Sequence, residues 1–124
     1  MQFVFLKPKG QCYSPSMRLR KSWEFKRVKK NGKRFKDKPF WLQVDISNDS
    51  KDLPKLGIIA SRRFGGAIQR NLAKRRLREI FRKNINEIPT GSKIVIMPRP
   101  HFLSCNFKEL EKRFLSALIK TSSN

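Results

Sequence analysis

The chain is poor in the residues that enzymes use for chemistry. It has one histidine, two cysteines and nine Asp and Glu. His101 stands alone on a proline-flanked turn, with no second histidine to complete an acid–base pair. The acidic residues are scattered, with no D-x-D or E-x-x-H arrangement to gather a metal ion. Gly65-Gly66 lacks the Lys-Ser/Thr that completes a nucleotide-binding loop. Nothing here equips the chain to cut a phosphodiester by itself. Cys12 and Cys105 lack zinc-site spacing and are expected to be free thiols of a reducing compartment. No apolar run approaches the roughly 20 residues of a spanning helix. The short apolar stretch at 2–6 precedes charge, the reverse of a signal peptide, so a cytoplasmic protein is expected.

What the chain has in excess is positive charge. Thirty Lys and Arg give a net charge of +21 in 124 residues. Such a balance says nothing of fold but points to nucleic acid or another polyanion as partner. Disorder is the competing reading of high charge, and the 38% hydrophobic content with ten Phe opposes it. The length suits one domain with a modest core.

Residues 1–16 hold Lys7-Pro8-Lys9-Gly10 and Ser14-Pro15-Ser16 and are expected to be a tail. Met17 opens the folded-looking part and is a candidate for the true start. Residues 18–30 are expected to form a helix capped by Ser22, with Phe25 and Val28 on one face and Asn31-Gly32 as a left-handed stop. Residues 33–38 continue the basic tone. Residues 40–47 alternate as a strand: Phe40, Leu42, Val44 and Ile46 face a core, while Trp41, Gln43, Asp45 and Ser47 face the open side. An outward Trp41 has two readings, cover by the first helix or stacking on a base. Residues 56–60 and 94–97 are apolar on both faces, which predicts buried central strands paired in parallel across an intervening helix. Pro89-Thr90-Gly91 is expected to end that helix. Asn106 with Glu109 resembles a capping box for a last helix burying Phe107, Leu110, Phe114 and Leu118, with 121–124 fraying.

The stretch 61–83 organises the rest. It holds nine basic residues and a single acid, Glu79. At about 100° per residue, Arg70, Asn71, Lys74, Arg75, Arg78 and Arg82 fall within roughly 140° of a helical wheel. Ala73, Leu77, Ile80 and Phe81 cluster on a neighbouring arc of roughly 100°, with Ile85 beside them. A solvated helix mixes signs, because like charges four apart repel. The ladder Arg70–Lys74–Arg78–Arg82 therefore predicts a polyanion that neutralises it. Eleven further cations lie in 17–38. Cationic grooves with interleaved aromatics suit single strands, and an arginine-rich helix suits folded RNA.

Ser61-Arg62-Arg63, then Phe64-Gly65-Gly66-Ala67-Ile68, then Arg70-Asn71-Leu72-Ala73-Lys74-Arg75-Arg76-Leu77-Arg78-Glu79 closely resembles the signature of the bacterial ribonuclease P protein subunit. The likeness extends upstream through Arg18-Leu19-Arg20-Lys21, Glu24-Phe25, Val28 and Gly32 and covers about 17–120. It implies an α+β fold: one compact domain, a four-stranded sheet with three helices, and a left-handed strand–helix–strand crossover against the usual preference. It implies an accessory role in an endonuclease whose catalytic centre is RNA, removing the 5′ leader of precursor tRNA. The protein would have no catalytic residues, be a monomer in the ribonucleoprotein and have no membrane partner. Mg2+ would be bound through RNA and substrate. By position, Arg62, Arg63, Arg70, Asn71, Lys74, Arg75 and Arg78 would face the catalytic RNA, and Phe25, Trp41 and Gln43 would line the leader cleft. Leu72, Lys29 and Gln43 depart from the family pattern, which shifts weight in the cleft to Trp41 and Phe25. The rival readings are a ribosomal or ribosome-assembly protein, a DNA-binding nucleoid protein and a protein-only nuclease.

Overall fold

A computed structural model describes residues 17–46 and 53–122. The tail at 1–16, with Cys12, the strand end at Ser47 with the turn at 48–52, and residues 123–124 lie outside the described residues. The elements run α1 (Ser22–Asn31), β1 (Lys33–Lys36), β2 (Phe40–Ile46), β3 (Lys55–Ile58), α2 (Ala67–Lys83), β4 (Ser92–Pro98) and α3 (Phe107–Ser122). Short 3₁₀ turns at Ile85–Glu87 and Pro100–Ser104 flank β4. The sheet order is β1-β2-β4-β3, with β3 parallel to β4 and the other pairs antiparallel. This is the expected α+β domain of three helices on a four-stranded sheet.

The alternation along β2 divides the molecule. Phe40, Leu42 and Val44 are buried in the main core with Ala73, Leu77, Ile80 and Phe81 of α2 and Leu110, Phe114 and Leu118 of α3. The other sheet face carries a smaller cluster, in which Leu19, Val28 and Val95 are buried and Phe25 packs against them. Thus α2 and α3 cover one face and α1 part of the other. β4 is the strand buried on both sides.

Several expectations are corrected. α1 starts at Ser22, not 18, with Lys21 at the N-cap. Leu19 N–H instead donates to Leu56 O, and Arg18 forms a parallel bridge to Leu56, so this segment runs along β3. Lysine offers no acceptor, and the cap is made by Glu24, whose Oε1 accepts from the N–H of Arg20 and of Lys21, both at 3.0 Å. Gly32 is extended (φ −80°) rather than left-handed. Its need is close approach, since a Cβ there would lie 2.5 Å from Val28 O and 3.0 Å from Val44 O. β3 is an edge strand, not a central one. It reads as apolar because its faces and its outer edge are covered by packing and by Arg18–Leu19. α2 ends at Lys83, six residues before Pro89. Asn84 Nδ2 caps it by donating to Ile80 O at 2.9 Å. In α3, Asn106 Oδ1 does accept from Glu109 N–H (2.8 Å), while the Glu109 carboxylate turns to Arg113. The helix runs through Thr121, whose buried hydroxyl donates back to Ala117 O at 2.9 Å.

Candidate nucleic-acid interface

The first surface belongs to α2 and the turn before it. Ala73, Leu77, Ile80 and Phe81 are the buried residues of this helix, as the wheel requires. The turn is pinned by Phe64, whose N–H donates to Ser61 O and whose ring meets Phe102 edge-on at 6.4 Å. That anchor leaves Arg62 and Arg63 exposed. Asn71 and Arg75 are exposed, and Arg70, Lys74 and Arg78 half-buried. Arg70 sits where the cationic arc overlaps the apolar one, and its guanidinium donates to Gly65 O at 3.4 Å. Among the described residues no carboxylate is ion-paired with Arg62, Arg63, Arg70, Lys74, Arg75 or Arg78. Arg82 leaves this set: it bonds Glu79 through two nitrogens, at 2.6 and 3.3 Å. The bond to Arg82 holds the Glu79 carboxyl below its ordinary value.

The second surface is a groove of about 600 Å³ between α1 and the open sheet face. Phe25, Trp41 and Gln43 all line it, so the structure brings the three cleft residues together. Lys26 and Lys29 of α1 and Arg34 of β1 add charge to its wall, while Ile59, Val95 and Met97 give it an apolar floor. Gln43 Nε2 donates to Lys29 O at 3.4 Å, tying β2 to the last turn of α1 and leaving the amide oxygen to the groove. Glu24 fixes the other end of α1. Burial works to raise its carboxyl, but the Lys21 and Arg20 N–H bonds, with Lys55 and Lys93 nearby, bring it below its ordinary value. Trp41 is half-buried, so neither simple cover by α1 nor full exposure describes it.

Residues 33–38 gave no strand signal in the sequence, and so Arg34 and Lys36 were missed. In the folded strand Arg34 and Lys36 share one face of β1, Lys33 and Phe35 the other. Arg99, beyond β4, was read only as part of a break. Cys105 is buried and free. Burial and the Glu109 carboxylate push its thiol up. Among the described residues no three His, Cys, Asp or Glu side chains gather as a metal site, and no helix is long and apolar enough to cross a membrane.

The family model Ribonuclease P matches residues 13–122. The ribonuclease P protein component of Finegoldia magna is 35% identical over 108 residues, covering 87% of this chain and 93% of that protein. The corresponding component of Thermotoga maritima is 42% identical over 89 residues, 72% of this chain and 74% of that one. Its solved structure superposes with a TM-score of 0.70 at 34% identity, covering 82% of this chain and 94% of that chain.

Proposed function

The chain belongs to the ribonuclease P protein family, and on that premise we propose that its two surfaces hold two parts of one ribonucleoprotein complex. Membership makes it a component of a tRNA-processing endoribonuclease that works with the ribonuclease P RNA. In the proposed division, the α2 surface binds that RNA and the groove on the opposite sheet face binds the single-stranded 5′ leader of precursor tRNA.

The observation that carries this reading is the separation of the two surfaces by one sheet whose middle strands are buried on the α2 side. Opposite placement lets one protein touch catalyst and substrate at once. Arg62, Arg63, Arg70, Lys74, Arg75 and Arg78 neutralise phosphates of the folded RNA, and Asn71 adds a polar contact. Phe25 and the apolar floor take bases out of water, and Lys26, Lys29 and Arg34 follow the backbone. The protein so screens phosphate repulsion and fixes the leader, placing the scissile bond relative to the RNA. Catalytic Mg2+ enters with RNA and substrate.

The test is cleavage of leader-bearing precursor tRNA with protein alone, with the cognate RNA alone, and with both. Cleavage is expected only where the RNA is present, with the protein lowering the amount of precursor needed. Cleavage by protein alone would refute an RNA catalytic centre. Recovery of bulk ribosomal RNA rather than one catalytic RNA with the tagged protein would favour the ribosomal reading.

A further inference from the structure

The indole of Trp41 carries two cations. Lys36 Nζ lies 4.5 Å from the ring centroid and the Arg99 guanidinium carbon 4.6 Å. They come from the two strands that flank β2. Lys36 stands opposite Trp41 in the β1–β2 ladder, and Arg99 follows the last residue of β4. Arg99 N–H donates to Pro39 O at 2.9 Å, which fixes where its side chain begins. Among the described residues neither cation is ion-paired with a carboxylate. Asp37, next to Lys36 in sequence, is held by Arg113 at 2.7 Å.

Each cation is attracted to the ring, yet the two repel one another. A shared anion resolves that conflict. The same contacts occupy the ring, because a stacked base needs the space over the indole where the cations sit. Trp41 lines the groove, and Lys36 and Arg99, in contact with its ring, stand beside it. We propose that Lys36, Trp41 and Arg99 form a phosphate clamp beside the groove, gripping one phosphodiester of the bound leader. Trp41 is a rail for two cations and not a platform for a base. The clamp rests on the leader assignment made above and replaces the stacking reading of Trp41. Bases are left to Phe25 and the apolar floor.

The experiment uses the reconstituted holoenzyme and precursor tRNAs altered at one leader position at a time. One series carries a neutral methylphosphonate linkage and the other an abasic nucleotide. Wild-type enzyme is expected to lose affinity several-fold at one neutralised linkage and to tolerate abasic nucleotides on either side of it within about twofold. Arg99→Ala or Lys36→Ala should abolish the sensitivity at that linkage. Each should also lower the salt slope for precursor by up to about 0.7, the value for one single-strand phosphate, leaving mature tRNA unchanged. The clamp is overturned if no neutralised linkage separates Arg99→Ala from wild type, or if Trp41→Leu and an abasic nucleotide remove the same affinity. Precursor binding no tighter than mature tRNA would instead refute the leader assignment, and the clamp's ligand with it. The RNA-side substitutions use the wild-type protein, so misfolding of a variant does not spoil the test.

Discussion

Replacing Gly57 with alanine tests how the groove proposed for the leader is held open. Gly57 lies on β3 opposite Val95, beneath α1. A Cβ there would lie 2.5 Å from Phe25 Cε1, 2.8 Å from Cζ and 3.1 Å from Leu19 Cβ. Ordinary contact begins at 3.4 Å, so the Phe25 ring must withdraw by about 1 Å. Leu19 and Val28 confine it on the core side, which leaves the groove as the free direction. Overpacking of this kind costs about 1–3 kcal/mol. The half-buried ring can swing, which keeps the cost to about 2 kcal/mol rather than 3, and lost unfolded-state entropy returns about 0.4–1 kcal/mol. The net expectation is a loss of about 1 kcal/mol by urea denaturation. The preference for leader-bearing precursor over mature tRNA should fall several-fold, with binding to the catalytic RNA unchanged. Phe25→Leu in the same chain removes the clashing ring tip and should relieve part of the stability loss, a coupling read by a double-mutant cycle. A Gly57→Ala protein as stable as its parent, with leader preference intact, would refute the packing argument.

Arg75→Ala should lower the slope of log affinity for the catalytic RNA against log salt by about one, whereas Arg82→Ala, already paired with Glu79, should change it less. Equal slopes for Arg75→Ala and wild type would remove Arg75 from phosphate contact. Glu24→Gln should destabilise the fold by about 0.5–2 kcal/mol near neutral pH through the weakened α1 cap. The folded carboxyl lies below its ordinary 4.5, so this stabilisation is present above that value and lost as pH falls through the folded one. Denaturation curves of Glu24→Gln and wild type should therefore converge in acid. Cys105 should resist a thiol-specific disulfide reagent at pH 8 until denaturant is added, since burial and Glu109 disfavour its thiolate.

Legibility followed the range of the forces involved. The face of α2 that would be buried could be read because four apolar residues share one arc, and a helix has no other way to hide them. The two faces of β2 could be read because side chains alternate strictly. β1 could not: Lys33, Arg34 and Lys36 have no apolar alternation, and the strand exists because its backbone completes the ladder to β2. The edge position of β3 was hidden for the opposite reason. Its apolar residues resemble a central strand because Leu19 and Phe25 cover the face that would otherwise meet water. Gly32 was misread because sequence marks a glycine but not whether it serves backbone conformation or close approach. The three cleft residues were placed by family resemblance, and alternation supported two of them. Lys36 and Arg99 lie far apart in sequence and meet at Trp41 only through strand pairing.

That pairing is what would let so small a protein serve the two RNA segments proposed for it. A basic helix alone binds one polyanion and has no means of keeping a second apart from the first. Here the sheet is the separator. Phe40, Leu42 and Val44 commit one face to the core beneath α2, and the intervening residues Trp41 and Gln43 are thereby turned to the other. A one-residue slip of β2 against β4 would exchange the two sets, burying Gln43 and exposing Leu42. On the proposed division of surfaces, the register Leu42↔Ile96 and Gln43↔Val95 is a functional constraint as much as a structural one. The same two-sided burial of β4 that stabilises the domain sets the basic helix α2 and the groove under α1 on opposite faces.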